Sequence, residues 1–249
     1  MGVELYIFQP LVTNSARVYH ALLEKGVPFE VKTFGPGGHL GADFLKINPR
    51  GQVPAMTHDG VPLYEGMTMQ EYIDEVFEGP PLRPADLRER WRMRVWQRYS
   101  ENDLGRALMM INWNRIMPRM RANRSEEEMK RFAEQVPDED RRRSWMSAAN
   151  QQTPVASIEE SYRRVVAGVG RIERALRERP WVAGNSFSLA DIDLFHFFGF
   201  RSMWLPEWIV ELAAPENAPA TAEWVERVCA RPSTKTLQAD TRMPGPPLS

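Results

Sequence analysis

The tightest constraint on what this chain can fold into is a proline at the mouth of a strand. In "INPRGQVPAMTHDGVPLYEG", Ile47 to Gly66, the run that reads as a strand opens at Val53 and meets Pro54 at once. Proline has no amide to give a ladder, so it belongs at a strand's first residue or on an exposed edge. Asp59 and Gly60 then turn "VPAMTH" into "VPLYE", which makes a hairpin. Two readings of Pro54 stand side by side. One is a plain edge proline; the other is a cis Val53–Pro54 bond that aims the Val53 amide and carbonyl outward, ready to pair with an extended, peptide-like ligand.

The segments around the hairpin share one layout. "VELYIF" is a strand, and "SARVYHALLEKG" is a helix with Val18 and Leu22 on one face, Asn14 or Ser15 as its cap and Gly26 as its end. "FEVKTF" gives a second strand, followed by the glycine-rich "GPGGHLG" and a short helical stretch from Phe44 to Ile47. "MTMQEYIDEVF" reads as a helix after the hairpin. The order βαβαββα is a thioredoxin-like layout, assigned to residues 1–80. Proline-rich "EGPPLRPADLRER" marks a linker, taken as residues 81–90, and patterning from 91 to 249 is almost wholly helical. The expected fold class is therefore an α/β N-terminal thioredoxin-like domain plus an all-α C-terminal helical domain. In the second domain Ile158, Tyr162, Val165, Val169, Ile172 and Leu176 form a buried helical stripe. Ser157 with Glu160, and Ser188 with Asp191, have the spacing of capping boxes.

Charge and composition exclude several classes of partner. A chain of 249 residues with 32 basic and 33 acidic side chains has no basic excess with which to grip phosphates, so nucleic acid is not expected. No apolar run approaches the ~18 residues of a membrane span, and "MGVELYIF" lacks the basic and apolar regions of a signal peptide; the expectation is a cytoplasmic protein with no membrane partner. The single cysteine, Cys229, rules out an internal disulfide and reads as a buried thiol on an amphipathic helix. His20, His39, His58 and His196 lack close ligand spacing, so no metal is expected. The acidic Glu126–Glu128 and "PDEDRRR" read as solvated helix ends.

Where the hairpin gives way to the next helix, the residues suit an amino-acid head group. The helix beginning at Gly66 offers free amides and a positive dipole end to a carboxylate, and Glu65 can accept from an ammonium.

These residues resemble a known family, the cytosolic-type glutathione transferases, over nearly the whole chain. The resemblance rests on "INPRGQVPAM", on Glu65 at the next helix and on "FSLADI" in the helical half. It implies that Pro54 is cis, that Val53 pairs with the cysteinyl unit of glutathione, and that an acid–serine pair holds the γ-glutamyl end. Glutathione is then the co-substrate, with Gln52 and His39 added to Val53, Pro54, Glu65 and Gly66 around it; His39, in the glycine loop, either meets the glycyl carboxylate or is an exposed loop histidine. Gly66 departs from the pattern, standing where the family has serine. One lost hydrogen bond to a charged group is worth about 1.5–3 kcal/mol, so glutathione binding is expected to weaken unless Thr68 supplies the hydroxyl. The thiol needs a donor rather than a base: free thiols titrate near pH 8.5, and a helix N-terminus with one hydroxyl or amide lowers that value. Thr13, Asn14 and Ser15 are the candidates, with helix capping as their other role; Tyr6 is a further one.

A narrower resemblance, to the bacterial glutathione-dependent β-etherases that cleave aryl ethers derived from lignin, rests on "NPRGQVPA", "EYIDEVF", "LRPAD", the stretch from "EQVP" to Trp145 and "YRRVVAGVGRIERAL". It implies that the glutathione thiolate displaces an aryloxide next to a ketone. Trp96, Tyr99, Met109, Met110, Trp113, Ile116 and Met117 offer soft, flat surface for such a ring, although such stripes are also ordinary core; Trp96, Tyr99, Met110 and Trp113 are taken as the substrate residues. Dehalogenation or isomerisation with glutathione is the alternative chemistry. A further alternative is a weakly active partner subunit, and either a homodimer or a heterodimer with a related chain is expected.

Overall fold

The computed structural model describes residues 2–8, 13–34, 37–122, 124–198 and 211–240. Its N-terminal part is a four-stranded sheet of order β2-β1-β3-β4, built from β1 (Val3–Phe8), β2 (Glu30–Phe34), β3 (Ala55–His58) and β4 (Val61–Tyr64). β1 runs parallel to β2 and antiparallel to β3, which closes the hairpin with β4. The parallel pair needs a crossover, and α1 (Thr13–Lys25) supplies it. Alternation on β1 puts Val3, Leu5 and Ile7 into a core shared with Val18, Leu22, Met69 and Ile73. On the opposite face Tyr6 stacks on Phe34 and meets Phe44 of α2 (Ala42–Ile47). Pro62 lies on β4, the outer strand, where a missing donor costs nothing.

α3 (Gly66–Val76) leads through residues 77–86 to the helical part. There α4 (Leu87–Tyr99), capped by Asp86, continues through a widened π turn, Ser100–Gly105, into α5 (Arg106–Ala122). α8 (Val155–Glu178) packs against that turn, and Gly168 allows the approach: a Cβ there would lie 2.3 Å from Leu104 Cδ2. Val165, Val169, Ile172 and Leu176 are buried as the stripe predicts, while Ile158 and Tyr162 are half-buried. α6 (Glu126–Glu134) and α7 (Glu139–Ala149) form a second, smaller core with α5, from Met117, Met129, Ala148 and Ala149 packed with Trp113 and Trp145. α9 (Leu189–Phe198), α10 (Pro219–Cys229) and α11 (Pro232–Ala239) complete the described chain. Among the described residues no helix is long and apolar enough to cross a membrane.

The capping expectations divide. α8 starts at Val155 with Pro154 as its N-cap residue, three residues before the expected cap at Ser157. Glu160 is instead paired with Arg163 and Arg164. α1 starts at Thr13, which places Asn14 and Ser15 inside its first turn rather than at a cap. Ser188 and Asp191 do meet, with the Asp191 carboxylate accepting from the Ser188 amide at 2.9 Å. The Ser188 hydroxyl, however, donates to that carboxylate, and Val182 N–H and Trp224 Nε1 donate to its other oxygen. Burial pushes the Asp191 carboxyl up to about 6 against these four bonds. Cys229 is half-buried rather than buried, accepting weakly from Gln238.

α11 is fastened to α1 through Glu24. Burial opposes ionisation of its carboxyl, but the fork of Arg231 at 2.6 and 2.7 Å, His20 and Ser233 hold it at about 2. A carboxyl depressed on folding lends stability that is complete above its unfolded value and lost as pH falls toward the folded one. Stability is therefore expected to drop between about pH 4.5 and pH 2 through this group. In Glu24→Gln the acid limb of a Tm-against-pH curve should be shallower, and an unchanged slope would show that Glu24 contributes nothing to it.

Candidate active site

The site forms where the hairpin's start, the end of β1 and the starts of α1 and α3 converge. The Val53–Pro54 bond is cis, and the ladder begins at Ala55 opposite Tyr6, so Val53 lies outside the ladder beside the end of β1. Asn48 Nδ2 donates to the Gln52 carbonyl at 2.7 Å, which fixes the turn leading to Val53. Val53 and Gln52 are half-buried, and Pro54 is buried.

Glu65 holds an uncommon conformation at the other end of the hairpin, with φ of 72° and ψ of 108°. Positive φ in a residue with a side chain costs on the order of 1–3 kcal/mol and marks a backbone held for a purpose. Glu65 accepts from Arg50 Nη1 at 2.7 Å and makes no side-chain cap to α3. Its carbonyl takes the Met69 amide, so the Gly66 end of α3 keeps its first amides uncapped by a side chain. Thr68 is exposed.

At the start of α1, Asn14 is exposed and Ser15 is fully buried, its hydroxyl without a partner among the described residues. Thr13 is the first residue of α1, and its side chain lies outside the described ones. Tyr6, a further candidate on sequence, donates its hydroxyl to Glu4 at 2.8 Å, and burial pushes that phenol up. His39 is buried edge-on against Phe8; burial, aided by the nearby Arg141 guanidinium, takes its imidazole down to about 4, so it is neutral at pH 7 and can meet a carboxylate only as a hydrogen-bond donor.

The four aromatic and methionine positions assigned to substrate fall into separate places. Trp96 is buried in the main core, and the Arg171 guanidinium lies 4.8 Å from its ring and 4.2 Å from that of Tyr99. Trp113 belongs to the second core, edge-on to Trp145 at 5.5 Å. Met110 is half-buried and accepts from Asn114. The structure therefore brings Val53, Pro54, Glu65 and Gly66 together and divides the ring-binding candidates.

Two arginines were missed by sequence reasoning. Arg141, in the run read as solvated, is buried, and its Nη2 donates to the carbonyls of Arg50 at 2.8 Å and Gly51 at 3.3 Å. α7 thereby braces the turn that presents Val53. Arg17, in α1, is 2% exposed and faces Asp193 of α9 with 3.5 Å between Nη1 and Oδ1. Asp193 shares the mostly apolar "LADIDLFHFF" with Asp191 and His196, and a charge in such a helix needs a partner, but nothing in the sequence points to Arg17 as that partner.

Comparison with known proteins gives one family. The profile of the glutathione S-transferase N-terminal domain matches residues 13–76, and that of the C-terminal domain matches residues 142–232. Protein LigF of Sphingobium sp. is 32% identical over 252 residues, covering 95% of this chain and 93% of the relative. The crystal structure of the β-etherase LigF superposes with a TM-score of 0.86, covering 95% of this chain and 98% of that one. A probable glutathione S-transferase of Oryza sativa subsp. japonica is 28% identical, covering 91% of each chain. Glutathione transferase F7 of Populus trichocarpa, 23% identical with a TM-score of 0.70 over 94% of this chain and 97% of that one, shares the fold.

The bracing role of Arg141 can be measured. Arg141→Met removes a charged donor from two carbonyls and should cost about 1–3 kcal/mol in urea unfolding, with faster amide exchange in residues 48–53. Unchanged exchange in that turn would show that α7 does not support it.

Proposed function

The chain belongs to the glutathione S-transferase family, and from that premise we propose that it uses the glutathione thiolate to displace an aryloxide from β-aryl ethers of the kind derived from lignin. The thiolate sulfur forms a bond to the carbon beside a ketone. The bond from that carbon to the ether oxygen breaks, and the aryloxide departs with the electron pair. The observation that carries this reading is the 32% identity and 0.86 TM-score to a β-etherase along 95% of the chain.

Each residue has a role in the reading. Val53, free of the ladder, pairs through its backbone with the cysteinyl unit, while Glu65 and the α3 amides take the ammonium and carboxylate of the γ-glutamyl end. Ser15, Asn14 or Thr13, at the positive end of α1, stabilises the thiolate. Neutral His39 donates to the glycyl carboxylate, and Gln52 belongs to the same wall. Trp113 and Met110 are the ring-binding candidates that the main core does not absorb; Trp96 and Tyr99 act from behind through Arg171. Exposed Val61, Tyr64, Leu87 and Trp91 support assembly with a second subunit, identical or related. The cytoplasm is the proposed location.

The test is incubation with glutathione and a β-aryl ether ketone, with chromatography of the released phenol. Stoichiometric phenol and a glutathione thioether are expected. Turnover confined to halogenated or isomerisable substrates would replace this chemistry with dehalogenation or isomerisation. Ser15→Ala and Asn14→Ala should lower kcat ten-fold or more while changing glutathione Kd by less than about three-fold, since a donor to the thiolate acts on reactivity rather than on the peptide. Full activity in both variants would remove these two residues from the mechanism.

A further inference from the structure

Gly66 is flanked by a guanidinium. A Cβ at this position would lie 3.0 Å from Arg17 Nη2 and 3.8 Å from its Cζ, with no other atom within 4 Å outside its own backbone neighbourhood. Arg17 is buried, and its Nε and Nη1 have no hydrogen-bond partner among the described residues. Asp193 neutralises the charge at 3.5 Å but does not accept a hydrogen bond from Nη1, and Oδ1 is itself without a partner. Phe197 closes another side, its ring centroid 5.9 Å from Cζ. A buried donor left unmade is costly, and the first amides of α3, uncapped by any side chain, lie beside it. Nη1 is the atom turned to Asp193, so it is the other edge of the guanidinium, Nη2 with the unspent Nε, that lies toward the start of α3. Glu65, the nearest acid in sequence, is turned to Arg50 and satisfies neither.

The chemistry that satisfies both the guanidinium edge and the amides is a carboxylate. A guanidinium presents a planar fork that matches one, and helix amides add to the same field. We propose that Arg17 replaces the hydroxyl donor missing at Gly66: Nη2 and the first amides of α3 together hold the α-carboxylate of the γ-glutamyl end of glutathione, and the glycine leaves the guanidinium the space it needs. This rests on the reading of the chain as a glutathione-using enzyme and names a binding residue for it. It also reverses the expectation from sequence. Gly66→Ser does not restore a lost donor; it pushes one aside.

A ligand-and-residue cycle separates the two readings. The full chain is titrated calorimetrically with glutathione and with 4-aminobutyryl-cysteinyl-glycine, which lacks only the α-carboxylate. The unmodified protein should prefer glutathione by ten-fold or more. Arg17→Lys keeps a cation beside Asp193, so folding is retained, but loses the fork; the preference should shrink at least five-fold with the affinity for the analogue unchanged. Equal loss on both ligands would mean a structural role only and would overturn the proposal, as would an undiminished preference. Gly66→Ala and Gly66→Ser crowd the same guanidinium while leaving both charges of the ion pair in the chain, and keep the test open if Arg17→Lys fails to fold. Both should reduce the preference, and a ten-fold tightening in Gly66→Ser would contradict the assignment. If the unmodified protein binds neither peptide, the glutathione reading itself falls; if it binds glutathione with no Arg17-dependent preference, only this assignment does.

Discussion

The structure turns on one buried ion pair, Arg17 with Asp193, which joins the first helix of the sheet domain to the helical domain. Taking two charges out of water costs several kcal/mol per ion, and the pair recovers that only if the remaining donors and acceptors are used. Gln97 of α4 donates to the second Asp193 oxygen at 3.2 Å, and Gln70 of α3 also favours its charged form, so four helices meet on this carboxylate. Burial still pushes the Asp193 carboxyl above the ordinary range. The guanidinium keeps Nε and Nη1 without a hydrogen-bond partner among the described residues, and its Nη2 lies at the start of α3. A pair that would be wasteful as a staple alone becomes intelligible when a ligand completes it.

Asp191, two residues earlier on the same helix, does the corresponding work inside the helical domain by gathering donors from Val182, Ser188 and Trp224. α9 thus presents one carboxylate to its own domain and another to its neighbour. His20 and His196, whose rings meet at 3.2 Å, and the Glu24–Arg231 fork extend the seam along α1. α6 and α7 carry their own small core and reach back through Arg141 to the turn before Val53. The turn before Val53 is consequently tied to the helical part through Arg141 of α7.

Much of this was legible in the chain. Period-two strands, the Asp59–Gly60 turn and the α8 stripe depend on local pattern, and each is where the pattern puts it. The cis turn and the Glu65–Gly66 helix start were legible as a motif. Arg17 and Arg141 were not, since nothing local separates a buried arginine from a solvated one; both are defined by partners 176 and 91 residues away. The aromatic run from Trp96 to Met117 shows the same limit. Its periodicity marks a helix, yet the two faces of that run pack into different cores, Trp96 into one and Trp113 into the other, which depends on what α6, α7 and α8 bring against them.

Under the proposed function these parts form a single extended peptide site: Val53 at its centre, the start of α1 toward the sulfur, and Arg17 with the α3 amides at the carboxylate. The most direct measurement is a crystal structure of the protein with glutathione. The account predicts the cysteinyl backbone paired with Val53 and the γ-glutamyl carboxylate within about 3 Å of Arg17 Nη2 and an α3 amide. Glutathione bound with that carboxylate directed away from Arg17, or bound outside the turn at Val53, would contradict it.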